Sequence, residues 1–289
     1  MPPAEWVCGV GLGILYVAAI VVMRHRSGLF TDEVNHYLQI ALFRHGRFDT
    51  VELALTTIPG YHAIVAATEW LFGADSLYAA RLINAGFGLV AIAGFHALRR
   101  RVRPGTETLA TAQFAALPIL TPLLFLVYTD VLALALLLWA TFATLTERHR
   151  MAAALLSVLV CVRQNEVVWA GFLAAVAVWP VWRELGPRGW RTIAARALPY
   201  AVPVAGFVAF WCWNGSISLS PREAALHPDL GVHAGNLFFV AVLAGVLLPL
   251  QTVSGLADFA RRARRRPWLL ALPPLLFAAF WYGFHVDHP

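Results

Sequence analysis

Long apolar runs recur from one end of the 289-residue chain to the other, and they decide what it can fold into. Residues 6–23 hold no charged side chain, and comparable runs return near 78–98, 108–127, 131–146, 151–165, 167–182, 197–213, 235–257 and 268–284. A helix of about 20 apolar residues spans the roughly 30 Å hydrocarbon core of a bilayer. In that medium every backbone polar group must be satisfied within the segment, which favours helices. The pattern predicts an all-α polytopic membrane protein of about nine crossings, one transmembrane domain over residues 1–289. Charged residues make up only 13% of the chain, about half the share usual in a soluble domain. The first run lacks a basic leader and an A-x-A-like cleavage site, so it reads as a transmembrane helix and not a secretory signal.

The net charge of +6 comes with no Lys at all, a composition that fits a GC-rich prokaryotic genome. Most of the Arg residues sit in four short connectors, at 99–103, 148–150, 183–196 and 261–266. Nine crossings put all four connectors on one side, which positive-inside topology makes cytoplasmic, together with the N-terminus. Scattered over short loops, these Arg residues build no nucleic-acid groove. The opposite, outer face then collects Asp32, Glu33, Asp49, Glu52, Asp130, Glu166, Glu223, Asp229 and Asp287. Cys8, Cys161 and Cys212 lie in apolar runs without metal-type spacing and imply no disulfide.

The first outer loop, residues 24–77, carries two stretches of about helical length, 36–45 and 59–72. Both are too short to span and are expected at the outer interface, anchored by Tyr61 and Trp70. Within the stretch LFTDEVNHYLQ at 29–39, Asp32 and His36 share a helix face at i,i+4. Two readings stay open for Asp32 and Glu33. A carboxylate at this interface can take a proton from a substrate hydroxyl, or the pair is a solvated helix start that favours acids.

Ionisable groups at membrane depth call for a named partner. Asp130, in the turn after Tyr128, and Arg163, beside Gln164 and Asn165, are such groups, and both fall on the outer face. The alternatives are a structural ion pair, or an Arg whose fork holds a lipid phosphate. Asp32, Glu33, Asp130 and His36 offer oxygen and imidazole donors, but no spacing compels a metal, and no cofactor is assigned. No phosphate-loop, dinucleotide, nucleophile-elbow or zinc-protease pattern occurs.

Several stretches, taken together and in order, carry a resemblance: TDEVNHYLQ, TTIPGY at 56–61, YTDV at 128–131, RQNEVVW at 163–169, WNGSI at 213–217 and AALH at 224–227. They resemble the α-1,2-glucosyltransferase family that adds the terminal glucose to the dolichol-linked oligosaccharide, a branch of the GT-C membrane glycosyltransferases. The resemblance implies a polyprenyl-phosphate-linked sugar donor and a catalytic carboxylate in the first outer loop. That role falls on Asp32, with Glu33 as neighbour or alternate. Arg163, His227 and Arg222 are the candidates for the donor phosphate. His36, Gln39, Thr57, Tyr128, Asp130, Gln164 and Asn165 are the candidates for binding or orienting substrate.

The implied reaction is a single displacement with inversion, moving a hexose to a hydroxyl of a glycan or lipid acceptor. Membrane lipids are the other expected partners. Two further readings compete, a lipid or sugar transporter and a noncatalytic relative. A transporter built on inverted repeats has discontinuous helices in matched halves near the midplane, and the sequence shows no such symmetry.

Overall fold

The computed structural model describes residues 3–26, 28–52, 54–105, 107–220 and 234–283. Arg222 and His227 lie outside the described residues. All regular structure among the described residues is helical. The chain divides into two compact units, Met1–Asp229 and Leu230–Pro289.

In the first unit, α1 (Pro3–Arg24) precedes α2 (Glu33–Arg44) and α3 (Gly60–Leu71), the two short helices of the first loop. Then come α4 (Leu77–Val102), α5 (Glu107–Ala115), α6 (Leu120–Leu123), α7 (Thr129–Leu145), α8 (His149–Val162), α9 (Val168–Leu185), α10 (Trp190–Ala197) and α11 (Ala201–Asn214). Ser76 starts α4 in the usual way, its side chain accepting from the Ala79 amide at 3.1 Å.

The centre of this unit is α7, packed between α4 and α8. Small residues make that approach possible: Ala133, Ala140 and Ala143 on α7 and Ala152 on α8 are all buried in one cluster with Leu156, Leu159 and Val162. With lipid as solvent, packing and not hydrophobic exclusion drives such association, so small side chains at the contact are favoured. Gly94 of α4 serves the same end, because a Cβ there would stand 3.0 Å from Trp139 Nε1. That indole in turn donates to the Val90 carbonyl at 3.0 Å. Large apolar side chains point outward instead, Val7, Ile14 and Leu15 on α1 among them.

By length and hydropathy, two helical runs among the described residues suffice to cross a membrane, Leu77–Val102 and the 51-residue run Gln164–Asn214, or three if one bent pair counts as a span. Gly9–Arg24, Thr129–Leu145, His149–Val162 and Pro267–Ala279 are apolar but shorter. The expected count of nine is therefore not reached on this criterion, and two of the expected spans are broken. The stretch 108–127 splits into α5 and α6 because Pro118 and Pro122 supply no amide hydrogen. Thr121 Oγ1 repairs part of the gap by donating to the Ala115 and Leu117 carbonyls, at 3.0 and 2.9 Å.

In the second unit, α12 (Ala234–Leu247) ends before Pro249, and α13 (Pro249–Arg265) leaves at an angle of 110° before a 3-10 turn and α14 (Leu272–Gly283). The stretch 235–257 is thus not one straight helix. Residues 261–265, expected in a connector, continue α13, since Ala and Arg favour helix and no breaker intervenes before Pro267. Val253 and Leu256 form an exposed apolar face on α13.

Candidate functional site

Thr31 introduces the acidic motif in a strained conformation. Its φ of 36° is unusual for a β-branched residue, and backbone strain of this kind concentrates at functional positions. Asp32 follows as the N-cap of α2, exposed, and makes no side-chain capping bond. Its neighbour Glu33 has the opposite fate. Helix α2 starts at Glu33, earlier than the sequence suggested, and turns that side chain fully into the interior.

There Glu33 meets Arg81 of α4, itself 2% exposed. The contact is bidentate, Arg81 Nε to Oε1 at 2.9 Å and Nη2 to Oε2 at 2.6 Å. Glu33 also accepts from the Val127 amide at 3.0 Å and the Phe30 amide at 3.2 Å. Arg81 spends its remaining donors on the Arg26 and Gly28 carbonyls, at 2.5 and 2.7 Å. A buried charge pair is tolerated only when its remaining hydrogen-bond sites are filled, and here backbone groups fill them. Glu33 is thus the rivet that fixes the loop carrying Asp32, and Asp32 is the carboxylate left in the open.

One turn along α2, His36 is half-buried. Its Nδ1 lies 2.9 Å from Nε2 of His62, a fully buried residue of α3. Burial, and then the neighbouring His36, push His62 down to about 3, against the pull of the Pro59 carbonyl. His62 is therefore neutral, and its Nδ1 has no well-aligned hydrogen-bond partner. Burial also lowers His36, while Asp130 and Asp32 pull it upward. The edge of the Tyr128 ring closes on His36 at 5.5 Å between centroids, and the Tyr128 hydroxyl donates to the Phe30 carbonyl at 3.3 Å.

Asp130, at the start of α7, pairs with Arg163 at the end of α8. Arg163 Nε lies 3.5 Å from Glu166 Oε1, close enough for an ion pair but not aligned as a hydrogen bond. Glu166 is held in turn by Trp169 Nε1 at 2.8 Å. The structural ion pair weighed for Asp130 and Arg163 is thus present. Because two carboxylates flank it, Arg163 carries no unbalanced positive charge.

The two glutamines act on the backbone. Gln39 is buried, donating to the Thr50 carbonyl at 3.1 Å and accepting from the Glu52 amide at 2.7 Å. Gln164 accepts from the Ile58 amide at 2.9 Å and donates to the Thr56 and Ile217 carbonyls, both at 2.7 Å. It therefore clips together the stretches 56–58 and 217, which the sequence keeps far apart. Thr57 Oγ1 is buried without a partner, and Asn165 is exposed.

Sequence reasoning missed several residues that build this site. Arg81 and His62 sit inside helical patterns, as does Asn84, which accepts from the Tyr61 hydroxyl at 3.1 Å and donates to the Leu123 carbonyl at 2.9 Å. Tyr61, expected as an interface anchor, is instead fully buried, whereas Trp70 is exposed as an anchor requires. The Arg44 guanidinium joins buried Glu69 at 3.3 Å to Asp75 at 2.5 Å, binding α2 to the end of α3. No group of three or more His, Cys, Asp or Glu suited to a metal occurs among the described residues.

The model of the DIE2/ALG10 family matches residues 27–190, more than half the chain. That range contains every described site residue named above except Arg26 and Ile217. A Drosophila melanogaster protein named Dol-P-Glc:Glc(2)Man(9)GlcNAc(2)-PP-Dol alpha-1,2-glucosyltransferase is 24% identical over 294 residues, covering 88% of this chain and 64% of its own length. The Mus musculus protein of the same name is 28% identical over 163 residues, 50% of this chain and 34% of its own. The Candida glabrata protein of that name is 23% identical over 235 residues, 73% of this chain and 44% of its own. The chain therefore spans less than two thirds of the length of these relatives. No solved structure matches it.

Proposed function

The chain belongs to the DIE2/ALG10 family, and from that premise we propose that it is an integral-membrane glucosyltransferase of GT-C type. It moves glucose from a polyprenyl-phosphate donor to a hydroxyl of a glycan or lipid acceptor. The observation that carries this reading is the pairing of opposite fates at adjacent carboxylates. Glu33 is locked away on Arg81, and Asp32 is held exposed near His36, which also faces the Asp130–Arg163 pair. An exposed, pre-positioned carboxylate whose base is fixed by a buried ion pair is what a proton-accepting base requires.

Asp32 takes the proton of the acceptor hydroxyl, and that oxygen attacks the anomeric carbon. The bond from the anomeric carbon to the phosphate oxygen breaks with inversion, and its electron pair leaves with the polyprenyl phosphate. Asp130 orients Arg163, which faces the sugar or its phosphate, and Arg222 and His227 belong to the same donor side. The reading places these residues on the outer face, opposite the Arg-rich connectors, with the N-terminus cytoplasmic. The shorter apolar helices count as crossings too, extended by flanking turns and met by local thinning of the bilayer, which brings the number to about nine.

The test is transfer of radiolabelled glucose from polyprenyl-phosphate-glucose to a panel of glycan and lipid acceptors by purified protein, wild type against Asp32→Asn. Transfer that vanishes in the variant while donor binding persists supports the reading. Absence of donor binding by the wild type sinks it and favours a transporter.

A further inference from the structure

We propose that His36 and His62 work as one unit, in which His62 Nε2 accepts the Nδ1 hydrogen of His36 and so turns His36 Nε2 toward the phosphate of the lipid donor. The phosphate rests on the donor class proposed above; the pairing of the rings does not.

The 2.9 Å contact between His36 Nδ1 and His62 Nε2 holds one proton. Its owner follows from burial. His62 is fully buried, whereas His36 is half-buried and faces Asp32 and Asp130, so a charge taken up by the pair rests on His36. A charged His36 donates from both nitrogens, and His62 Nε2 is then the acceptor of the Nδ1 hydrogen. His62 is a positioning residue that touches no substrate. It fixes one nitrogen of His36 and leaves the other free.

His36 Nε2 has no partner among the described residues. The groups around the ring are Asp32 and Glu33 from its own helix, Tyr61 and His62 from α3, Tyr128 and Asp130 at the start of α7, and Arg163 from the end of α8. The two guanidiniums of this cluster are already committed, Arg81 to Glu33 and Arg163 to Asp130 and Glu166. A phosphate arriving beside His36 therefore meets guanidiniums whose charge is already balanced, and a charged ring adds to whatever the rest of the donor side supplies. A nearby anion favours the charged form of an imidazole, so the donor phosphate brings a proton onto His36 Nε2, while His62 continues to hold Nδ1. When the phosphate oxygen receives the electron pair of the broken bond, His36 Nε2–H donates a hydrogen bond to it, and the acceptor's proton resides on Asp32. Charge that develops on the leaving group is met by a donor already in place.

Two measurements on the purified full chain decide this. Nitrogen-15 NMR of histidine-labelled protein at pH 8 is expected to show His36 protonated at Nδ1 alone, and added polyprenyl phosphate is expected to turn it into the imidazolium. Affinity for polyprenyl phosphate should rise as pH falls, by at most about tenfold per unit, the limit for uptake of one proton. His36→Asn and His62→Phe should both flatten that profile, and His62→Gln, whose amide oxygen can accept, should restore it. A His36 hydrogen on Nε2 at pH 8, or a wild-type profile in His62→Phe, overturns the proposal. If the rings show the expected tautomers but polyprenyl phosphate does not bind at any pH, the donor reading fails and its phosphate role with it. If phosphate binds with the reverse tautomer, the donor reading stands and the histidine pairing alone is wrong.

Discussion

Both carboxylate oxygens of Glu33 are held by Arg81, 48 residues away, at 2.9 and 2.6 Å, and neither residue reaches solvent. This joins the first loop to α4, and through the Val127 amide to the segment before α7. Removing one partner leaves the other charged and buried, so Glu33→Gln is expected to lower stability by about 3–5 kcal/mol. The double variant Glu33→Met with Arg81→Met removes both charges. It should not regain wild-type stability, because the amides of Phe30 and Val127 and the carbonyls of Arg26 and Gly28 lose their partners. The Val127 amide is buried and costs about 1–3 kcal/mol when orphaned, whereas Arg26, Gly28 and Phe30 are exposed and water can meet part of their loss. Thermal unfolding in detergent of the wild type, the single and the double variant checks both statements, and full recovery in the double variant would remove the backbone role.

Asp32→Asn should separate chemistry from folding. Its side chain is exposed and caps nothing, so only its interaction with the helix start is lost, about 0.3–1 kcal/mol. Transfer is expected to fall by roughly 10²–10⁴-fold, the share usually carried by a general base. Transfer rates and unfolding temperatures measured on the same preparations test the contrast with Glu33.

What could be read from the sequence follows from how conspicuous each residue is against an apolar background. Asp32, Asp130 and Arg163 stand out because charge is rare in this chain, and the ion pair of Asp130 with Arg163 is one of the two alternatives that the sequence offers. Which of Asp32 and Glu33 faces inward depends on where α2 starts, and it starts at Glu33, three residues ahead of the expected stretch. Arg81 and His62 lie inside helical patterns, where polarity signals no partner. Gln39 and Gln164 look like substrate ligands until their backbone partners are seen. The breaks at Pro118 and Pro249 escape a hydropathy window, which averages over the residues that interrupt a helix.

The buried histidine gives the fold an acid limit. His62 is depressed from the ordinary 6.5 to about 3, so between those values the unfolded chain binds a proton that the folded chain refuses. Stability is complete above pH 6.5 and falls as pH drops through this window, by up to about 1.4 kcal/mol per unit. His62→Phe should unfold less steeply with acid than the wild type. Unfolding temperatures at pH 7, 6, 5 and 4 measure this, and parallel curves for the two proteins would refute it.

The turn into α3 depends on a missing side chain. A Cβ at Gly60 would stand 2.4 Å from the Cys161 carbonyl oxygen and 2.8 Å from its carbon. Both atoms belong to the backbone of α8 and cannot rotate aside, so Gly60→Ala must push α3 away from α8. A forced separation of this kind costs about 1–3 kcal/mol. It also pulls on residues 56–58, whose bonds to Gln164 anchor the loop ahead of α3. Loss of transfer is therefore expected to accompany the loss of stability. Gly86 of α4 is the control, because a Cβ there meets nothing within 4 Å. Gly86→Ala should be neutral or gain up to about 1 kcal/mol from the stiffer helix. Trimming the neighbouring side chain with Cys161→Ala should leave the Gly60→Ala defect in place, since the nearest clash is with the main chain. A rescue by that second substitution would show that side-chain crowding, and not the approach of the two backbones, sets the glycine requirement.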